Sequence, residues 1–131
     1  MTLHTQPSRL KALLVEDDAI IQTVHTHMLQ KQGFQVDLVA NGQDAINRSA
    51  TGHYDVMLLD LGLPDVSGQV VLTTLRAREA TLQQKRLPII IATAHGDDLL
   101  AECLAQGADF ALLKPLSMPQ LRECLGKLGV P

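Results

Sequence analysis

The chain has 131 residues, of which 46% are hydrophobic, which is enough for one domain with a core. Its formal net charge is −3, with two Phe, one Tyr and no Trp, so neither a basic surface nor stacking aromatic residues indicate contact with nucleic acid. Two isolated cysteines exclude a disulfide framework, and no apolar run approaches the roughly 18 residues that cross a membrane. We therefore expect a cytoplasmic domain without direct membrane contact, either free or part of a membrane-anchored parent.

Five short apolar runs alternate with stretches of helical spacing along the chain. The runs are Leu10–Val15, Val36–Ala40, Val56–Leu59, Ile89–Thr93 and Phe110–Leu113. Residues 1–8 are polar, so we expect an N-terminal tail followed by one domain over residues 9–129. Apolar strands separated by helices are typical of a parallel sheet covered on both faces. The pattern predicts an α/β fold with a single doubly wound, five-stranded parallel sheet and five helices.

Capping residues mark the predicted helix starts. They are Asp18, Asn41, Ser67 and Ser117, the last in a capping box with Gln120. Asp18 is equally well explained as a loop charge. The first helix should stop near Gly33, the second should reach about Thr51, and the fourth should span about residues 98–106. The third helix should fray into a loop over the charged residues 76–86.

Polar residues stand at the ends of four predicted strands. They are Glu16, Asp17, Asp60, Thr93 and Lys114. If the first and third strands are neighbours, the strand order is 2-1-3-4-5, and Asp17 and Asp60 meet at the carboxyl edge, where open α/β sheets hold ligands. Crowded carboxylates repel one another unless a cation lies among them, and Mg²⁺ prefers such oxygen ligands. The set suits phosphoryl transfer on a metal, with Asp60 as the nucleophile.

Simpler explanations and rival folds remain for these residues. Taken alone, Glu16 is also a plausible loop charge, and Lys114 before Pro115 is a plausible solvated lysine at a turn. A flavodoxin would need a phosphate-binding loop where residues 16–18 are acidic. A phosphatase of the haloacid dehalogenase type would need a second acid at Gly62.

The ordered motifs of the chain resemble those of response-regulator receiver domains, from about Leu10 to Leu128. They are Glu16-Asp17, Asp60, Pro64, Gly68, Thr93-Ala94 and Lys114-Pro115. The resemblance implies a flavodoxin-like receiver sandwich that takes a phosphoryl group from a histidine kinase or a histidine phosphotransfer domain. Such a domain is not a classical enzyme, although it assists its own phosphorylation and dephosphorylation.

The resemblance also implies a role for each matching residue. Asp60 would accept the phosphoryl group, Asp17 would be the main magnesium ligand, and Glu16 would be a ligand through water. The backbone carbonyl of Gly62 would complete the protein ligands to Mg²⁺, for which Mn²⁺ could substitute. Thr93 would bind a phosphoryl oxygen in the switched state.

On the same resemblance, Lys114 would pair with the phosphorylated side chain, next to a cis Lys114–Pro115 bond. The family usually has an aromatic residue three positions before this lysine, and Ala111 stands there. We therefore expect a monomer or weak dimer with little phosphorylation-driven switching. Gly62 and His95 should lie beside the route of the water that attacks the phosphoryl group, and His95 is the sharper candidate for gating it.

Partner docking is expected around the start of the first helix, and neither His25 nor His27 on that helix is proposed as a phosphodonor. Residues 93–95 and 102–116 are most similar to receivers of hybrid sensor histidine kinases. A stand-alone regulator, or a receiver-like interaction module that is never phosphorylated, remains an alternative.

Overall fold

The protein, described by a computed structural model over residues 10–94 and 96–130, alternates strands and helices without interruption. The strands are β1 (Leu10–Val15), β2 (Phe34–Val39), β3 (Val56–Asp60), β4 (Ile89–Thr93) and β5 (Phe110–Leu113). The helices are α1 (Ala19–Lys31), α2 (Gly42–Thr51), α3 (Gly68–Leu82), α4 (Asp97–Ala105) and α5 (Met118–Leu128). The predicted tail over residues 1–8 and the expected position of His95 lie outside the described residues.

The five strands form one parallel sheet in the order β2-β1-β3-β4-β5. The predicted fold class and strand order are therefore confirmed. Val15 is opposite Leu59, so the residues that follow β1 lie beside the last residue of β3. Strand β2 begins at Phe34, two residues before its predicted start, because Phe34 is buried under α1 and α5.

The predicted caps form at the helix starts. The Asp18 carboxylate accepts the N–H groups of Ile20 (2.9 Å) and Ile21 (3.1 Å), so its role as the N-cap of α1 is confirmed. The Ser117–Gln120 capping box forms at the start of α5. After α1 the chain turns at Gly33 with φ of +93°, a conformation that favours glycine.

The prediction that the third helix frays into a loop over residues 76–86 is wrong for residues 76–82, because α3 continues to Leu82, and it is correct for residues 83–86, which follow the helix. Arg76 donates hydrogen bonds of 2.9 Å to the carbonyls of Gly107 and Leu87, and its guanidinium also pairs with Asp109 at 3.1 Å. These charged side chains are partly buried, and they hold the last turns of α3 against the loops at the amino edge of the sheet.

A hydrophobic core lies on each face of the sheet. Helices α2, α3 and α4 cover one face, with side chains such as Leu13, Leu59 and Leu72, and α1 and α5 cover the other. Cys103 belongs to the first core and Cys124 to the second, and both are free thiols. Among the described residues, no helix combines the length and the apolar character that a membrane crossing requires.

Candidate functional site

Three carboxylates meet at the carboxyl edge of the sheet. Glu16 and Asp17 follow β1, and Asp60 is the last residue of β3. One oxygen from each lies within 4.8 Å of the other two. Glu16 and Asp60 are buried, with 1% and 3% of their surface exposed, whereas Asp17 is exposed. The structure thus brings together the acids that the sequence placed at two strand ends.

Lys114 bridges two of these acids from the end of β5. Its Nζ lies 3.1 Å from both carboxylate oxygens of Glu16 and 3.1 Å from Asp60 Oδ1. Burial alone lowers the pKa of Lys114, but its hydrogen bonds to Glu16 and Asp60 outweigh burial and raise it. The lysine is therefore a fixed positive charge beside Asp60, next to the cis Lys114–Pro115 bond that the family resemblance implied.

Thr93 closes the site from β4. It is fully buried, and its carbonyl accepts the backbone N–H of Lys114 at 2.9 Å. The ends of β4 and β5 are therefore fastened together at the two residues for which phosphate-binding roles were predicted. Ala94, which follows Thr93, is exposed at the rim.

Burial raises the pKa of Glu16, and the N–H of Asp18 and the ammonium of Lys114 oppose this effect. The Glu16 carboxylate accepts the N–H of Asp18 at 3.1 Å, and its backbone carbonyl accepts Gln22 Nε2 at 2.7 Å. These contacts hold the acid in place at the cost of burying a negative charge beside Asp60. A cation at the cluster would offset that cost.

The donor set fits a magnesium ion. Within the described part of the chain, no group donates a hydrogen bond to Asp60 Oδ2, although this oxygen is buried. A buried carboxylate oxygen with free lone pairs, next to two more carboxylates, offers the hard oxygen ligands that Mg²⁺ takes. The sequence-predicted ligands Glu16, Asp17 and Asp60 therefore suit this ion chemically.

Two glycines border Asp60, Gly62 in the loop after β3 and Gly68 at the start of α3. The N–H of Gly62 donates to Asp60 Oδ1 at 3.3 Å, and a Cβ at this exposed position would meet nothing within 4 Å. At Gly68 a Cβ would collide with the carbonyl oxygen of Asp60 and would lie 2.8 Å from Leu61 Cα. Gly62 is thus open to substitution, whereas the start of α3 packs directly on the backbone of Asp60.

Sequence reasoning missed Asp65 in the same loop. Its carboxylate accepts the N–H groups of Gly42 (2.8 Å) and Gln43 (2.9 Å), and these bonds lower the pKa of Asp65. The side chain thereby fastens the loop after Asp60 to the first turn of α2. No local pattern predicts this contact, because the partners lie 22 and 23 positions apart.

The burial of His25 was also missed. Its side chain is 1% exposed and accepts the N–H of Leu116 at 3.1 Å, in the turn after Lys114. A signal was present in the sequence, since His25 lies three and four positions before Met28 and Leu29, which are buried on the same face of α1.

Ala111 packs against the core under α2, α3 and α4, whereas Phe110 and Leu112 pack on the opposite face of the sheet. Phe110 therefore cannot replace the aromatic side chain that is missing at position 111.

Comparison with known proteins gives a consistent result. The sequence model for the response regulator receiver domain matches residues 12–126. Hybrid signal transduction histidine kinase L of Dictyostelium discoideum is 36% identical over 94% of this chain, and the chain spans 8% of that kinase's length.

Two solved structures show the same similarity. The receiver domain of a sensor histidine kinase from Pseudomonas aeruginosa, with magnesium coordinated in its active-site cleft, is 34% identical over 93% of this chain and 99% of that chain (TM-score 0.79). The Saccharomyces cerevisiae receiver domain of Ssk1, solved with the histidine phosphotransfer protein Ypd1, is 26% identical (TM-score 0.83). The match covers 92% of this chain and 89% of that chain.

Proposed function

Because the chain belongs to the family of response regulator receiver domains, we propose that Asp60 is the residue that accepts the phosphoryl group. A receiver domain of this family serves two-component signalling, and its role is that of a phosphoacceptor domain. One observation carries the proposal for Asp60: its Oδ2 is buried without a donor among the described residues, while Lys114 holds Oδ1. We propose residues 9–129 as the functional unit.

The transfer is an in-line displacement on phosphorus. An oxygen of Asp60 forms the new O–P bond while the P–N bond to the donor histidine breaks, and the electron pair of that bond returns to the imidazole. Lys114 neutralises charge on the equatorial oxygens, and the Thr93 hydroxyl donates to one of them. A site for Mg²⁺ or Mn²⁺ would be formed by Glu16, Asp17, Asp60 and the Gly62 carbonyl, and the ion would offset the negative charge of the phosphoryl group.

Water reverses the modification. Its oxygen attacks phosphorus, the O–P bond to Asp60 breaks, and inorganic phosphate leaves as the carboxylate is restored. Gly62 borders the approach to Asp60 and has open space beside it. Gly62→Glu should therefore change the lifetime of the phosphorylated form without disturbing the fold, and His95 is proposed for the same gating role.

The partner is a histidine kinase or a histidine phosphotransfer protein, and we place its docking surface at the start of α1. Ile20 is 74% exposed and Val24 is 37% exposed on this helix, and Asp18 at its N-cap follows the acidic cluster directly. An apolar patch beside the phosphoacceptor suits a helix that must bring its histidine within reach of Asp60. The similarity to hybrid kinase receivers favours a phosphorelay module.

Labelling with acetyl phosphate and magnesium, followed by intact mass measurement, tests the proposal. The wild type should gain one phosphoryl group, Asp60→Asn should gain none, and chelation should stop the reaction. Asp18→Asn is a matched control, because asparagine keeps the helix cap and leaves the cluster intact. Labelling of Asp60→Asn to the wild-type extent would refute the assignment, and an unlabelled wild type would favour a module that is never phosphorylated.

A further inference from the structure

Helix α1 carries a buried histidine that the proposed chemistry does not use. His25 is 1% exposed, and its Nε2 accepts the N–H of Leu116, 91 positions later in the chain. A backbone N–H can only donate, so Nε2 has a free lone pair and the imidazole is neutral, with its proton on Nδ1. His25 therefore acts as a hydrogen-bond acceptor inside the core.

Leu116 belongs to the turn that follows Lys114. The N–H of Lys114 is bonded to the neighbouring strand, the N–H of Ser117 is bonded within the cap of α5, and Pro115 has no N–H. The remaining backbone donor of this turn is the N–H of Leu116, and it is directed to α1. His25 thus ties the turn to the helix that starts just after the acidic cluster.

We propose that His25 is a positioning residue for phosphoryl transfer, which holds the turn after β5 so that the Lys114 ammonium stays within reach of Asp60. The proposal rests on the function proposed above for Asp60. Lysine has a long, flexible side chain, so its Nζ is well placed only if its backbone is fixed. A misplacement of about 1 Å at a reacting centre can slow a reaction roughly 100-fold.

The surroundings of His25 maintain its acceptor role. The pKa of His25 is lowered to about 4, first by burial and then by the positive charge of Lys114, while the carboxylate of Asp60 acts in the opposite direction. The imidazole is therefore neutral near pH 7, where phosphoryl transfer would be measured. The turn thus keeps its acceptor under the conditions of the assay.

The test is a double-mutant cycle on the rate of labelling by acetyl phosphate at saturating magnesium. We expect His25→Leu, which removes the acceptor, to slow labelling about tenfold or more. His25→Gln, whose Oε1 can accept the same N–H, should restore most of the rate. In the Lys114→Ala background, His25→Leu should have no further effect on the rate, although it should still lower the free energy of unfolding.

His27→Leu is the matched control, because His27 is an exposed histidine on the same helix, and it should be labelled at the wild-type rate. An equal fractional loss of rate in the wild-type and Lys114→Ala backgrounds, or a glutamine variant as slow as the leucine variant, would overturn the inference. If His25→Leu does not fold, His25→Asn takes its place in the cycle, because its shorter side chain cannot reach the Leu116 N–H.

The result also separates this inference from the function on which it rests. If the wild type is not labelled, the proposed function fails. If the wild type is labelled, Asp60→Asn is not, and His25→Leu reacts at the wild-type rate, the positioning role of His25 alone is wrong.

Discussion

Acidification should destabilise this domain through His25. The pKa of His25 is about 4 in the folded protein, against an ordinary value of 6.5, because burial disfavours the imidazolium. Between these two pH values the unfolded chain binds more protons at this residue than the folded chain does. The stability that the neutral imidazole contributes is therefore fully present above pH 6.5 and is lost as the pH falls towards 4.

The size of the effect follows from the two pKa values. Lowering the pH from 7 to 5 should protonate most unfolded chains at His25 but few folded ones, which costs about 2 kcal/mol of unfolding free energy. Protonation would also remove the acceptor for the Leu116 N–H and place a positive charge near Lys114. These consequences do not arise if residue 25 is glutamine.

Urea unfolding of the wild type and His25→Gln, followed by circular dichroism at pH 7 and pH 5, measures the difference. Other titrating groups affect both proteins alike, so the advantage of the wild type should shrink by about 2 kcal/mol at the lower pH. His27→Gln, at an exposed position of the same helix, controls for the exchange of a histidine for glutamine. A wild type and a His25→Gln variant with the same pH dependence would show that His25 does not titrate as a buried group.

Three further predictions concern the metal, the partner and the output. Asp17→Ala should weaken magnesium binding at least about tenfold in calorimetric titrations, because it removes one of three carboxylates; unchanged affinity would contradict its role as a ligand. Ile20→Lys should slow transfer from a phosphohistidine protein while labelling by acetyl phosphate stays at the wild-type rate; equal losses with both donors would indicate damage to the site. With a beryllofluoride phosphate mimic, the wild type should dimerise weakly in sedimentation experiments, and Ala111→Tyr should dimerise more strongly. If the wild type dimerises as strongly as the variant, switching does not need the aromatic side chain.

The elements of this fold were largely predictable because its signals are local. A strand buried between two layers of helices has a continuous apolar sequence. Asp18 and Ser117 mark the starts of their helices because their side chains accept backbone N–H groups only two or three positions away. The strand-end acids were predictable for a related reason. Parallel strands place their carboxyl ends at one edge, so position in the strand determines position in the site.

The features that sequence reasoning missed depend on distant contacts. The charged side chain of Arg76 suggested a fraying helix end, but its partners Gly107 and Asp109 lie 31 and 33 positions away. The partner of His25 is 91 positions away. A polar residue reveals its role only when the group that satisfies it is known, and spacing along a helix does not identify that group.

Position 68 has room for the hydrogen atom of a glycine but not for a larger side chain, because its backbone packs against that of Asp60. The proposed chemistry of Asp60 therefore depends on a glycine at this position. Replacing glycine by alanine inside a helix normally adds stability, up to about 1 kcal/mol, because alanine is the better helix former. Here the new methyl group would occupy the space of the Asp60 carbonyl oxygen. The carboxylate would have to move, or α3 would have to begin elsewhere. A substitution eight positions from Asp60, the proposed phosphoacceptor, would thus disturb it without altering any charge, ligand or hydrogen-bonding group of the site.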